Sequence, residues 1–135
     1  MKLIAYGDIM SGGTSVFIST TRVDGGKLCV SFSGAIRIDN PHLHLQTYID
    51  ELDAQLAKLN VRETELDFTE LRFCNSNGFY VIMDIAELVY RSTKGPVGVL
   101  RLSSDDWQQE TLPILIDIEE PIVGARTIFR ERQEL

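Results

Sequence analysis

The chain is poor in the features that would place it quickly. Among its 135 residues there are two cysteines, Cys29 and Cys74. Their separation fits neither a Cys-x-x-Cys redox pair nor a zinc site, so both are expected to be reduced and mostly buried thiols. Positive charge is scarce: 13 Lys and Arg stand against 20 Asp and Glu, a formal net charge of -7. Phosphate backbones and anionic lipids need a basic surface, so neither nucleic acid nor a membrane is expected as a partner. No run approaches the roughly 20 apolar residues of a membrane span. The opening "MKLIAYGDIMSGG" is too short and too polar for a secretory signal. A cytoplasmic protein is the expectation. Missing too are a nucleophile-His-acid set, a lysine-bearing Gly-rich phosphate loop and a carboxylate-His cluster. No catalytic residue, cofactor or metal is therefore assigned, and the chain is read as a non-enzyme. His42 and His44 are two apart on a predicted helix and point to different sides.

What is present is ordinary globular composition, 44% apolar and 24% charged. A domain of this length buries roughly 68–70% of its unfolded surface and needs no staple. One domain over 1–135 is expected, with a core at about 14–118 and extensions at 1–13 and 119–135 of no assigned role. "TSVFIST" (14–20) and "KLCVSFSG" (27–34) read as strands joined by the Asp-Gly turn "VDGG", a hairpin. In the second strand Leu28, Val30 and Phe32 alternate with Cys29, Ser31 and Ser33. Then the period changes: Leu45, Ile49, Leu52, Leu56 and Leu59 mark an amphipathic helix, with Asn40 as N-cap and Pro41 at its first position. "ETELDFTEL" (63–71) is a strand with Leu66 and Phe68 inward. "GFYVIMDIAELVYRS" (78–92) is a second helix with Phe79, Ile82, Ile85, Ala86 and Val89 as its apolar stripe. "GPVGVLRL" (95–102) is a central strand, and "DDWQQETLPILIDI" (105–118) a helix broken near Pro113. "IVGARTIFR" (122–130) reads as a short edge strand, and "GDIMSGGTS" as a flexible turn. The order β-β-α-β-α-β-α implies a mixed sheet of four or five strands with helices mainly on one face.

One stretch stands out. "DFTELRFCNSNGFY" (67–80) begins as a buried strand and ends as a helix, with Cys74-Asn75-Ser76-Asn77-Gly78 between. Strand-to-helix turns of this kind are where α/β folds build sites. The first N–H groups of a helix lack internal partners and carry partial positive charge. A phosphate on Ser76 would add about -1.5 to -2 charges there, which the helix could absorb while the outer surface changed. The plainer reading is that Ser76 or Asn75 caps the helix and Asn77-Gly78 turns the chain. Glu70 and Arg72 are solvated strand-end charges or partner contacts. Asp105 and Asp106 look like a cap and first-turn acid, and Trp107 like a core aromatic or an interface one.

Three motifs together resemble the STAS domain, the fold of bacterial anti-sigma-factor antagonists: Gly34 followed by "AIRIDNP", the "LDFTELRFCNSNG" turn, and "GPVGVLRLSSDDW". The likeness covers roughly 14–118. The usual antagonist loop, Asp-Ser-Ser-Gly, falls on Asn75, Ser76, Asn77 and Gly78, and puts Asn77 in the acceptor slot. SiaC-type regulatory phosphoproteins look closer in the loop and share an Asn-Pro like Asn40-Pro41; on that alignment Ser76 is the phosphate acceptor. The resemblance implies a phosphorylation-controlled, partner-switching signalling protein. It also implies a GHKL-type Ser/Thr kinase, a PP2C-type phosphatase, and a target such as an anti-sigma factor or a diguanylate cyclase. The contact surface it implies is the 73–80 loop, the first turn of the second helix and the adjoining Gly34–Asn40 turn, in which Phe73, Asn75, Ser76, Asn77, Gly78 and Phe79, with Gly34, Asp39 and Asn40, are singled out. A constitutive interaction module, or a small-ligand-binding domain of the same fold, are the alternatives.

Overall fold

The computed structural model describes residues 1–133. Six strands and four helices follow one another along them: β1 (Lys2–Ser11), β2 (Thr14–Asp24), β3 (Lys27–Ile36), α1 (Pro41–Leu56), β4 (Glu63–Cys74), α2 (Ser76–Ser92), β5 (Val97–Leu102), α3 (Asp106–Ile116), α4 (Pro121–Arg126) and β6 (Thr127–Arg132). The strands lie in one sheet in sequence order, β1 to β6. β1, β2 and β3 are antiparallel neighbours, whereas β3 to β6 run parallel. Each parallel step moves the chain one strand in the same direction. A right-handed crossover repeated in one direction puts every helix on the same face, as the sequence pattern implied.

That face holds the core. Phe17, Leu28, Val30, Phe32, Leu66, Phe68, Val97 and Val99 of the sheet are buried beneath Leu45, Leu52 and Leu56 of α1 and Val81, Ile82, Ile85 and Val89 of α2. The rings of Phe32 and Phe68 stack on adjacent strands, 4.7 Å between centroids. Ile49 and Leu59, expected in the α1 stripe, are only half-buried. Tyr48 takes the central place, its hydroxyl 2.9 Å from Ser19 Oγ and 2.7 Å from Thr21 Oγ1. A buried phenol needs such partners, and β2 supplies them from its own helix-facing row.

Several sequence expectations are corrected. The sheet has six strands because both extensions join it: 2–11 forms β1, and 127–132 forms β6 after the short helix α4. Residues 7–15 are no loose turn. Gly12 and Gly13, with φ of 60° and 81°, make a two-residue hairpin turn between paired Ser11 and Thr14, the backbone that a twisted antiparallel pair requires. β5 has β6 as its outer neighbour, so it is interior but one strand from the edge. Helix α3 runs through Pro113 unbroken. The carbonyl of Gln109, which proline cannot serve for want of an N–H, accepts from Arg101 Nη1 at 3.4 Å. Finally, α2 starts at Ser76, two residues earlier than the apolar pattern suggested.

β4 and β5 pair only from Thr64–Val97 to Asp67–Leu100. Beyond that Gln108 spans the two strands. Fully buried, it accepts from Leu102 N–H at 2.7 Å through Oε1 and donates through Nε2 to the carbonyls of Phe68 (2.9 Å) and Leu71 (3.3 Å). One side chain thus replaces the missing rungs of the ladder. Gln108→Leu keeps the bulk but strands three buried backbone groups, each costing about 1–3 kcal/mol if unsatisfied. A loss of at least about 2 kcal/mol in urea unfolding is expected; an unchanged midpoint would show that water replaces the amide.

Candidate functional site

β4 passes into α2 through a single residue, Asn75, whose φ of -75° and ψ of 178° are extended. Its backbone N–H donates to Ile36 O at 3.0 Å, so the ladder with β3 continues into the cap. Its side chain works at both ends: Oδ1 accepts from Gly78 N–H at 2.8 Å, and Nδ2 donates to Ile38 O at 2.9 Å. Asn75 is therefore the N-cap, and it also ties α2 to the β3–α1 turn. Asn77 repeats the tie, its Nδ2 donating to Asp39 O at 2.6 Å.

Gly78 has an ordinary backbone, so its need for glycine is steric. A Cβ there would lie 2.7 Å from Ile36 Cγ2 and 2.8 Å from Cys74 Sγ. The first turn of α2 thus sits hard against the end of β3. Gly34 is different: with φ of 95° and a would-be Cβ 2.1 Å from Val16 O, it holds a bend inside β3. The strand runs on to Ile36, so the expected Gly34–Asn40 turn is confined to 37–40. Asn40 caps α1 by position without a side-chain bond, because its φ of -130° and ψ of 62° are off the usual cap geometry. Asp39 contributes its carbonyl.

Ser76 occupies the first position of the helix and is exposed. With Gly78 N–H taken by Asn75 and Phe79 N–H bonded to Asn75 O at 2.9 Å, the N–H groups of Ser76 and Asn77 have no intramolecular acceptor among the described residues. They are the helix's unsatisfied donors. Beside them lies a shallow depression of about 200 Å³ lined by Cys74, Asn75, Ser76, Phe79, Tyr80 and Trp107. Burial pushes the Cys74 thiol up to about 12, so it is an unreactive wall of this depression at neutral pH. Cys29 is also pushed up, by burial and by neighbouring Glu65.

The surrounding surface is aromatic. Phe73 is 46% exposed, with the Arg37 guanidinium 4.6 Å above its ring, a cation–π contact. Tyr80 is 57% exposed. Phe79, expected on the contact surface, is half-buried and packed on the core, its ring edge-on to Tyr80. Trp107 is half-buried and belongs to both readings given for it: packed on the core, it also walls the depression. Tyr80 lies within the expected 73–80 surface but is not among the residues singled out there, although its place off the apolar stripe was the signal. Arg37 lies within the expected Gly34–Asn40 turn and is likewise not singled out, for want of any local pattern. Glu70 and Arg72 form an exposed pair at 3.6 Å. Asp105 caps α3 through Gln108 N–H. His42 Nε2 is 2.8 Å from Asp84 Oδ2, joining α1 to α2. Among the described residues no three His, Cys, Asp or Glu side chains are grouped to hold a metal, and no helix is long and apolar enough to cross a membrane.

No family model matches the chain, and no curated protein does. Solved structures do. SiaC of Pseudomonas aeruginosa is similar over 99% of this chain and 100% of that one, with a TM-score of 0.54 and 20% identity. An anti-sigma factor antagonist from Mycobacterium paratuberculosis is similar over 82% of this chain and 93% of that one, with a TM-score of 0.49 and 16% identity. At such identities the likeness is one of fold. The fold is STAS-like, with a sheet of six strands.

The two-ended role of Asn75 separates cap from tie. Asn75→Ala should cost about 1–2 kcal/mol in chemical denaturation. Asn75→Asp keeps the acceptor for Gly78 N–H and should recover part of that. Ser76→Ala should lie within about 0.5 kcal/mol of the parent; a larger loss would make Ser76 part of the framework.

Proposed function

We propose that the chain is a non-enzymatic signalling protein that switches protein partners, with phosphorylation of Ser76 as the switch. The observation that carries this is the setting of Ser76. It is an exposed hydroxyl on the first turn of α2, beside two unsatisfied N–H groups, and α2 is anchored from outside by Asn75 and Asn77. A phosphate there gains donors and a favourable helix dipole, so the framework tolerates it. A partner seated on Phe73, Tyr80 and the Ser76 depression meets two added charges and three oxygens in the middle of its footprint.

The chain's own residues provide presentation only; phosphoryl transfer and removal come from other proteins. The motif resemblance supports a GHKL-type kinase, a PP2C-type phosphatase, and as target an anti-sigma factor or an effector such as a diguanylate cyclase. Placing Ser76 as acceptor agrees with its exposure. Asn77, in the alternative slot, cannot accept phosphate and spends its amide on Asp39 O.

Peptide mass spectrometry on protein from its native cells, with a phosphatase-treated control, should find one phosphate on Ser76. With a partner in hand, Ser76→Asp should change its affinity at least tenfold, about 1.4 kcal/mol, while Ser76→Ala leaves it near the parent. Equal behaviour of the two variants, with Ser76 unmodified in every growth condition, would instead make this a constitutive interaction module.

A further inference from the structure

The two edges of the sheet are built differently. β6 is six residues long and carries Arg130, Glu131 and Arg132, the charges with which natural edges resist pairing. β1 is ten residues long, free of proline, and has only Lys2 and Asp8 as charged residues. Its single neighbour is β2, so one row of its peptide groups faces outward. Leu3, Tyr6 and Met10 of this strand are 46%, 50% and 51% exposed. Alongside runs a groove of about 390 Å³ between β1 and α1, where Gly7 lies opposite His44, Thr47, Tyr48 and Glu51.

The geometry points to a second copy of this chain as the occupant: β1 pairs antiparallel with its mate about a two-fold axis at Gly7, giving a continuous twelve-stranded sheet. Face consistency selects that register. Leu3, Tyr6, Asp8 and Met10 pair with Arg22, Thr20, Ile18 and Ser15 of β2 and share the helix-free face; Ile4 is the extra residue of a bulge. Centred on Gly7, Tyr6 meets Asp8 of the second copy, hydroxyl to carboxylate. Beyond the bulge Leu3 meets Met10, so the exposed apolar side chains cover one another. Centring on Asp8 sets carboxylate against carboxylate, and centring on Tyr6 sets Leu3 against Asp8.

The helix layer fits the same axis. A Cβ on Gly7 would lie 2.6 Å from Tyr48 Cβ, so α1 crosses β1 at that point and the axis passes near Tyr48. The two-fold then makes the α1 helices antiparallel, and His44 of one copy faces Glu51 of the other. Closed two-fold pairing also uses up the open edge, which a head-to-tail contact would not.

Sedimentation equilibrium of the full chain at roughly 100 μM should give twice the chain mass. Leu3→Lys with Tyr6→Lys, both at exposed positions, should return it to monomer, with a melting temperature that no longer depends on concentration and matches that of the parent diluted to monomer. A mixture of Tyr6→Cys and Asp8→Cys chains should cross-link under mild oxidation far more than either alone. A monomer at that concentration, or a dimer indifferent to the lysine pair, overturns the proposal. The surface lies three strands from β4 and the Ser76 turn, so neither result bears on the phosphorylation reading.

Discussion

The side-chain amide of Asn75 is the contact on which the site depends. It stands where β4 ends and α2 begins, with no loop between them to absorb error. Its oxygen closes one open N–H of the helix and its nitrogen reaches across to the turn before α1. Asn77 adds a second bond to the same turn. Gly78 makes the arrangement possible, since any side chain there would collide with Ile36 and Cys74. Two crossovers of the fold are thereby pinned together at their tops. Ser76, between the two asparagines, points outward from a frame that does not need it.

On the proposed reading, this division would let one position change charge without disturbing the rest. Core contacts lie below, among Phe32, Phe68, Ile82 and Ile85. Polar buried contacts are taken over by residues elsewhere: Tyr48 against β2, Gln108 between β4 and β5, and Arg126 at the far end of α2, where it donates to the carbonyls of Tyr90 and Gly95. That cation lies at the negative end of the helix dipole, while the positive end is left open at Ser76 and Asn77. An incoming anion would complete the helix and leave its packing alone. On the proposed reading, the exposed rings of Phe73 and Tyr80 would supply the apolar anchor that a charge alone cannot give a partner.

How much of this could be read from the chain follows from what is local. The β2–β3 hairpin, the α1 stripe and the burial of Leu66 and Phe68 were legible, because alternation and turn chemistry act over a few residues. The mixed sheet with helices on one face followed from the order of elements and the handedness of crossovers. β1 was not legible: Gly7 and Asp8, followed by Gly12 and Gly13 of the turn, mimic a loop, and its strand character comes from pairing with β2. Nor was the passage of α3 through Pro113, which rests on Arg101 from another element. At the site, Asn75, Ser76 and Asn77 were named from the sequence. What the two amides bind, and Arg37 over Phe73, depend on residues about 36 to 38 positions away in the chain.

The central claim is that the start of α2 is a finished platform, which takes a phosphate on Ser76 without refolding. The most direct measurement is an amide NMR spectrum of the chain with phosphoserine installed at position 76, compared with the unmodified chain. The expected result is a large downfield shift confined to the amides of Ser76, Asn77 and their immediate neighbours, with the remainder of α1, α2 and the sheet unmoved. Changes spread through α1 and the body of α2, or loss of their protection from exchange, would contradict it: phosphate would then act by loosening the fold rather than by altering its surface.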